Sequence, residues 1–268
     1  MGSFRKMHGL GNDFVIIDAR AEPVALSPAR ARAIADRREG IGCDQVILIE
    51  ASTVADARMR IFNADGSEVE ACGNASRAVA LLLGGERRLE TSGGIIVLRA
   101  DGADSATVDM GVPTSDWAAI PLSYAMDSAH LPVGWENLND PAAINVGNPH
   151  IVFFVEDCDA LDLERLGPII ENDPLFPDRV NVNIATITGP ASLRLRVWER
   201  GVGLTRACGT GACATAAVAL DRRLVSGPVA VALPGGQLTI TRRDDGHILM
   251  SGPATEVFVG EADWDQFG

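Results

Sequence analysis

RMRIFNADGSEVEACG (58–73) and RLRVWERGVGLTRACG (194–209) are one pattern written twice. Each opens Arg-x-Arg, continues with a β-branched residue (Ile61, Val197) and an aromatic one (Phe62, Trp198), and closes on Ala-Cys-Gly ahead of an Ala-rich run. The displacement is 136 residues (Arg58 to Arg194), and it also sets Gly11-Asn12 on Gly147-Asn148 and Gln45 on Asn181. Agreement at a single displacement predicts two structurally equivalent halves. Two copies are too few for a solenoid array, so the reading is a pseudo-twofold pair of domains. Residues 1–115 carry Cys72, with 254–268 expected to return to that half, and 116–253 carry Cys208.

Outward from the repeat, short apolar runs are separated by Gly, Pro, Asn and Asp. VIIDA (15–19), VILIE (46–50), MRIF (59–62), IIVLRA (95–100), ATVDM (106–110) and IVFFV (151–155) read as strands. So do NIATI (183–187), LRLRVW (193–198), VAVAL (229–233), LTITR (238–242) and EVFVG (256–260). Helices are expected at 28–38, where Ser27 can cap and Pro28 suits the first turn, and at the Ala-rich runs 75–83 and 212–224. Many strands and few helices predict an α+β fold of mixed or antiparallel sheets rather than repeated parallel strand-helix-strand units.

The chain has 268 residues with 23 basic and 36 acidic side chains, a formal charge of −13. So acidic a surface repels phosphate backbones and anionic lipid, which argues against nucleic-acid or membrane partners. No apolar run reaches the roughly 18 to 20 residues of a membrane span, and MGSFRKMHGL lacks both a secretory core and a myristoylation serine. Five cysteines are too sparse for a disulfide framework. A cytoplasmic protein with reduced thiols is the expectation.

The repeat makes Cys72 and Cys208 equivalent, each followed by Gly and a helix. A thiol at a helix N-terminus is expected to have a lowered pKa, and the unpaired N–H groups there can hold a carboxylate. Gly73-Asn74 and Gly209-Thr210 would supply those donors. Two thiols over one carboxylate point to two-base chemistry: a thiolate takes the proton from the α-carbon and a thiol returns one to the opposite face. Lys6 is the only lysine, and no phosphate-cradling loop accompanies it, so a pyridoxal-phosphate Schiff base is disfavoured. GLGNDF, GIGCDQ, GVGLTR and GTGACA are neither dinucleotide fingerprints nor P-loops. His8, His130, His150 and His247 have no ligand-pair spacing, so neither metal nor cofactor is expected.

The same residues resemble the diaminopimelate epimerase family. NADGS (63–67) with CGNASR (72–77) is similar to the family's signature at its first catalytic cysteine. MHGLGNDF (7–14), GIGCDQ (40–45), GNPH (147–150), RVN (179–181), ERG (199–201) and ACGTGA (207–212) are similar to further family blocks in order. The resemblance implies two domains, each a sheet wrapped on a central helix, closing over LL- or meso-2,6-diaminopimelate, in a homodimer. It implies that Cys72 and Cys208 are the acid-base pair, with Cys72 donating and Cys208 accepting in the LL-to-meso direction. Gly73, Asn74, Gly209 and Thr210 would hold the reacting carboxylate. Asn12, Gln45, Asn63, Asn148, Asn181, Glu199 and Arg200 would hold the rest, and His150 and Glu199 would tune the thiols. Ala75 and Leu204 depart from the family pattern, the first by a methyl group at a helix start and the second by the loss of an acidic side chain.

Plainer readings stand beside these. A cysteine among alanines is commonly a small core residue, which is the reading for Cys43, Cys158 and Cys213. Asn before a turn is often local turn chemistry, which by itself accounts for Asn12 and Asn148 equally well. His8, His130 and His247 read as structural or surface groups, and Arg58, Arg60, Arg194 and Arg196 as solvated strand faces. Arg77 is read as supporting the first site by its charge. The competing activity is a cofactor-independent racemase or isomerase of proline or hydroxyproline type. A thiol-disulfide exchange protein lacks its Cys-x-x-Cys, and a non-catalytic amino-acid-binding module has no use for paired thiols.

Overall fold

The computed structural model describes residues 1–69 and 72–267; Glu70, Ala71 of the first Ala-Cys-Gly, and Gly268 at the end of the 254–268 segment lie outside the described residues. In chain order come β1 (Gly2–Gly9), β2 (Asn12–Asp18), α1 (Pro28–Ala35), β3 (Gln45–Glu50), β4 (Ala57–Asn63) and β5 (Glu68–Val69). Then follow α2 (Gly73–Leu83), β6 (Glu86–Thr91), β7 (Gly94–Ala100), β8 (Ser105–Asp109), β9 (Gly134–Trp135), β10 (Leu138–Asn139), β11 (Ala142–Asn145) and β12 (Pro149–Phe154). The rest are α3 (Leu163–Glu171), β13 (Asn181–Gly189), β14 (Ser192–Glu199), β15 (Gly203–Thr205), α4 (Gly209–Asp221), β16 (Val229–Leu233), β17 (Gly236–Arg242), β18 (Ile248–Pro253) and β19 (Thr255–Ala262). A 3-10 turn at Trp264–Phe267 ends the described chain. The chain divides into two compact units, Met1–Val108 with Gly252–Gly268, and Asp109–Ser251.

In the first unit the sheet runs from β19 through β1 and β2 to β3, where the pairing is parallel, and on to β4. β4 pairs antiparallel with β5 and parallel with β6, and β7 and β8 complete the order. The β1–β2 hairpin turns on Leu10 (φ 58) and Gly11 (φ 88). Two consecutive left-handed residues match the twist of the flanking strands and pair Gly9 with Asn12. Ser27 accepts the Arg30 N–H and Pro28 occupies the first turn of α1. Val46 and Leu48 of β3 pack with Ala31 and Ile34 of α1. Gly73 to Ala80 of α2 are all buried, which marks a helix enclosed on every side.

The second unit repeats the plan. β11 and β12 are antiparallel, β12 and β13 parallel, β13 and β14 antiparallel, with β15 beside β14 and β16, β17 and β18 beyond. The displacement seen in the sequence recurs in the register. Phe14 pairs with Gln45 and His150 with Asn181; Phe62 pairs with Glu68 and Trp198 with Leu204. Val182 and Ile184 pack with Leu163, Leu166 and Ile170 of α3, as Val46 and Leu48 do with α1. Gly209 and Gly211 to Ala219 of the Ala-rich α4 are buried.

Every run expected as a strand lies in one, apart from the last residues Ala19, Met110 and Val155, which fall just beyond β2, β8 and β12, and the three expected helices form. α1 and α4 stop at Ala35 and Asp221, short of the expected 38 and 224. Asp36 accepts the N–H groups of Arg38 and Glu39 after α1, and Arg223 (φ 56) turns the chain after α4. α3 carries Pro168 inside it, a residue that reads as a helix breaker, and was not expected. Arg196 is not simply a solvated side chain: it donates to the carbonyls of Cys158 and Leu161 and ties that loop to β14.

Candidate active site

Each unit builds a polar cluster at the N-terminus of its buried helix. In the first, Cys72 occupies the N-cap of α2 with Gly73 and Asn74 in the first turn. Asn12, delivered by the β1–β2 turn, points Oδ1 at this end. It accepts from Asn74 Nδ2 at 3.3 Å and from the Cys72 thiol at 3.8 Å, while its Nδ2 donates to Asp44 Oδ2 at 3.2 Å. Arg77, wholly buried, donates to Asn74 Oδ1 at 3.0 Å and to the Pro253 carbonyl at 3.3 Å. Arg77 thus reaches the first turn of α2 through Asn74. Gln45 and Asn63, paired across β3 and β4, form a second group: Gln45 Nε2 donates to Asn63 Oδ1 and Asn63 Nδ2 to Ser67. Lys6 is ion-paired with Asp13 at 2.5 Å and donates to the Gly42 carbonyl, so it holds the loop ahead of Gln45.

In the second unit Cys208 caps α4, with Gly209 and Thr210 in the first turn. The Gly211 N–H donates to Cys208 Sγ at 3.3 Å and the Thr210 hydroxyl lies 3.5 Å from the same sulfur. Asn148 Nδ2 donates to Thr210 Oγ1 at 3.5 Å, and His150 Nε2 is 2.8 Å from Asn148 Oδ1. Glu199 Oε1 accepts from the Thr205 hydroxyl at 2.5 Å. Asn181 Nδ2 donates to the Pro149 carbonyl and its Oδ1 accepts the Arg200 N–H, so this amide fixes the Arg200 main chain. Arg200 donates to the Asp178 carbonyl. Buried Glu171 of α3 accepts from Trp198 Nε1 and the Gly201 N–H, which pins the turn behind Glu199 and Arg200.

Electrostatics correct one expectation. Burial raises the Cys208 thiol well above its ordinary range, and the adjacent Glu199 carboxylate adds to this; the donors Thr210 and Gly211 draw it back only in part. The helix N-terminus is present, but desolvation of a thiolate outweighs it. Burial likewise raises Glu199, opposed by bonds from the Thr205 hydroxyl and the Cys208 thiol. Burial pushes His150 down to about 3, so the ring is neutral at physiological pH. Cys43, Cys158 and Cys213 are buried in the core. His130 and His247 bond to Asp140 and Asp109, away from either cluster.

The sequence pointed to Cys72, Gly73, Asn74 and Asn12 in one cluster and to Cys208, Gly209, Thr210, Asn148, His150 and Glu199 in the other. It missed Asp44, which turns the Asn12 amide, Thr205, which bonds Glu199, and Asn183, beneath α4. Asp44 and Thr205 adjoin named motifs, which was a usable signal; Asn183 has none beyond being a polar residue in an apolar run.

Residues 4–115 and 142–257 match the family model described as diaminopimelate epimerase. The chain belongs to the diaminopimelate epimerase family. A diaminopimelate epimerase from Erythrobacter litoralis (strain HTCC2594) is 64% identical over 266 residues, covering 99% of this chain and 98% of that protein. One from Zymomonas mobilis subsp. mobilis is 56% identical over 266 residues, covering 99% and 98%. Among solved structures, a hydroxyproline epimerase from Agrobacterium vitis superposes with a TM-score of 0.66 at 16% identity, covering 97% of this chain and 90% of that one. A PhzF-family protein from Bacillus anthracis gives 0.67 at 16%, covering 98% and 100%. At such identities these two share the fold alone with this epimerase-family chain.

Proposed function

We propose that the protein is a diaminopimelate epimerase, interconverting LL- and meso-2,6-diaminopimelate by inversion at one α-carbon. The observation that carries this is the pair of cysteines, each at the N-cap of a buried helix, in a chain of that family. In this reading Cys72 and Cys208 serve opposite faces of the reacting carbon. From LL to meso, the Cys208 thiolate takes the α-proton and the Cys72 thiol delivers its own to the other face; the pair ends with its proton exchanged, and the reverse reaction restores it. The N–H groups of Gly73, Asn74, Gly209 and Thr210 receive the carboxylate and the charge that develops on it as the proton leaves.

Cys208 is difficult to ionise where it lies, and Glu199 supplies the remedy. A carboxyl raised by burial and facing the thiol can take its proton, while Thr210 and Gly211 donate to the sulfur that remains. Asn12, Gln45, Asn63, Asn148 and Asn181 are amides that can orient the rest of the substrate without adding charge, and Arg200 complements its distal carboxylate, while Glu199 meets the substrate at the reacting end beside Cys208. His150 and Glu199 set the state of Cys208. No cofactor enters this chemistry. We infer a cytoplasmic homodimer from the family resemblance; among the described residues, no helix is long and apolar enough to cross a membrane.

The test is to offer purified protein LL-diaminopimelate and, separately, trans-4-hydroxy-L-proline, and to resolve the stereoisomers formed. Formation of meso-diaminopimelate with hydroxyproline untouched is expected; epimerisation of hydroxyproline with diaminopimelate unchanged would overturn the reading in favour of the proline-type alternative.

A further inference from the structure

Asn183 sits in the middle of β13, wholly buried, on the side that faces α4. Its amide nitrogen lies 2.9 Å from the Ile151 carbonyl, 3.3 Å from the Asn181 carbonyl and 3.1 Å from His150 Nδ1. Carbonyl oxygens only accept, so the nitrogen and not the oxygen must face this way. Turning the amide over would press two oxygens together in a dry site. The orientation that avoids this leaves Asn183 Oδ1 buried without a partner, a costly arrangement that needs a reason.

The reason is visible one residue further on. The amide has two hydrogens, and its two shortest contacts are with the Ile151 carbonyl and His150 Nδ1; because an amide nitrogen cannot accept, Nδ1 must be the bare nitrogen, and a neutral ring keeps its hydrogen on Nε2. Nε2 then donates to Asn148 Oδ1, which turns the Asn148 amide nitrogen toward Thr210 Oγ1. With its oxygen receiving that N–H, the Thr210 hydroxyl hydrogen is directed at Cys208 Sγ. We propose that Asn183 is a positioning residue that holds His150 as the Nε2–H tautomer and thereby sets the direction of every hydrogen bond out to Cys208, so that Thr210 donates to the sulfur and favours its thiolate.

The repeat supplies an independent observation. The positions equivalent to His150 and Asn183 in the first unit are Phe14 and Ile47, both buried and apolar. The fold therefore does not require a polar pair there. In that unit Cys72 meets Asn12 Oδ1, an oxygen that can only accept and favours a thiol, whereas Cys208 meets the donors Thr210 and Gly211. The charged and titratable neighbours, Glu199 at the sulfur and Arg200 near the ring, leave the direction of this chain intact: the Cys208 S–H is turned to the Glu199 carboxylate, so the sulfur can accept from Thr210, and Arg200 disfavours a protonated imidazole.

The inference rests on Cys208 being an acid-base group, but its first test does not. In full-length protein labelled with 15N-histidine, with the His150 signal assigned through His150→Gln, the wild type should show Nδ1 as an unprotonated nitrogen and Nε2 as a protonated one. Protonated Nδ1 in the wild type would overturn the proposal whatever the activity. Asn183→Asp, nearly isosteric, should move the proton to Nδ1. Asn183→Asp and Asn183→Leu should each lower kcat about tenfold with KM nearly unchanged, as loss of one hydrogen bond felt at the transition state would. In a Thr210→Val background, where the chain is already cut, Asn183→Leu should cost little more; a further full tenfold loss there would show a structural role and contradict the proposal. Full turnover by Cys208→Ala would instead defeat the functional reading while leaving the tautomer result standing.

Discussion

Gln45 Nε2 donates to Asn63 Oδ1 at 3.0 Å, and that bond leaves Gln45 Oε1 buried without a partner. A buried acceptor with nothing to accept is a waiting place for a donor, and a substrate ammonium is such a donor. Gln45→Leu removes the acceptor at similar volume. It should raise KM for diaminopimelate about tenfold or more, with a smaller effect on kcat, because the contact is made equally in ground and transition states. Steady-state kinetics on the variant decide this; an unchanged KM would remove Gln45 from the binding set.

Gly211 is needed for space rather than for turning. A Cβ there would lie 2.6 Å from Asn183 Oδ1, 3.0 Å from Val197 Cγ2 and 3.3 Å from Cys208 Sγ. All three neighbours are buried, so none can retreat into solvent. Gly211→Ala should therefore cost about 1–3 kcal/mol of stability by overpacking, despite the better helix propensity of alanine. Denaturant unfolding checks it, and a variant as stable as the parent would show that the Asn183 side chain is freer than described.

His150 ties stability to pH. Its folded value, pushed by burial from 6.5 to about 3, lies below that of the unfolded chain. Between these values the unfolded state binds the extra proton, so the contribution is complete above about 6.5 and is lost as pH falls toward about 3. Replacing the ring with the phenyl group found at the equivalent Phe14, His150→Phe, should flatten that part of the stability profile. Chemical unfolding of both proteins between pH 7 and about 4 measures the slope. Parallel profiles would mean that the ring is protonated, or exposed, in the folded state.

Much of the fold was legible because the repeat constrained it twice over. The register of β2, β3, β4 and β5 returns in β12, β13, β14 and β15 at the displacement read from Arg58 and Arg194. The same displacement carries α1 onto residues 164–171, where α3 lies; Pro168 obscured a helix that the duplication alone would have found. Short edge strands such as β5 and β15 carry too few residues to show an alternation. The capping cysteines were legible because Gly and an Ala-rich helix follow each. The raised Cys208 thiol was not, since burial and the approach of Glu199 depend on tertiary packing that no local pattern encodes. Asn183 was hidden for a similar reason: in sequence it only interrupts an apolar strand.

The central claim is that Cys72 and Cys208 divide one proton transfer between them. Incubating LL-diaminopimelate with the protein in deuterated water, beside Cys72→Ala and Cys208→Ala, tests it most directly. The wild type should place one deuterium at the inverted α-carbon of the meso product, and each variant should lose turnover almost completely. Meso product formed without deuterium, or by either variant at near wild-type rate, would contradict a two-cysteine mechanism.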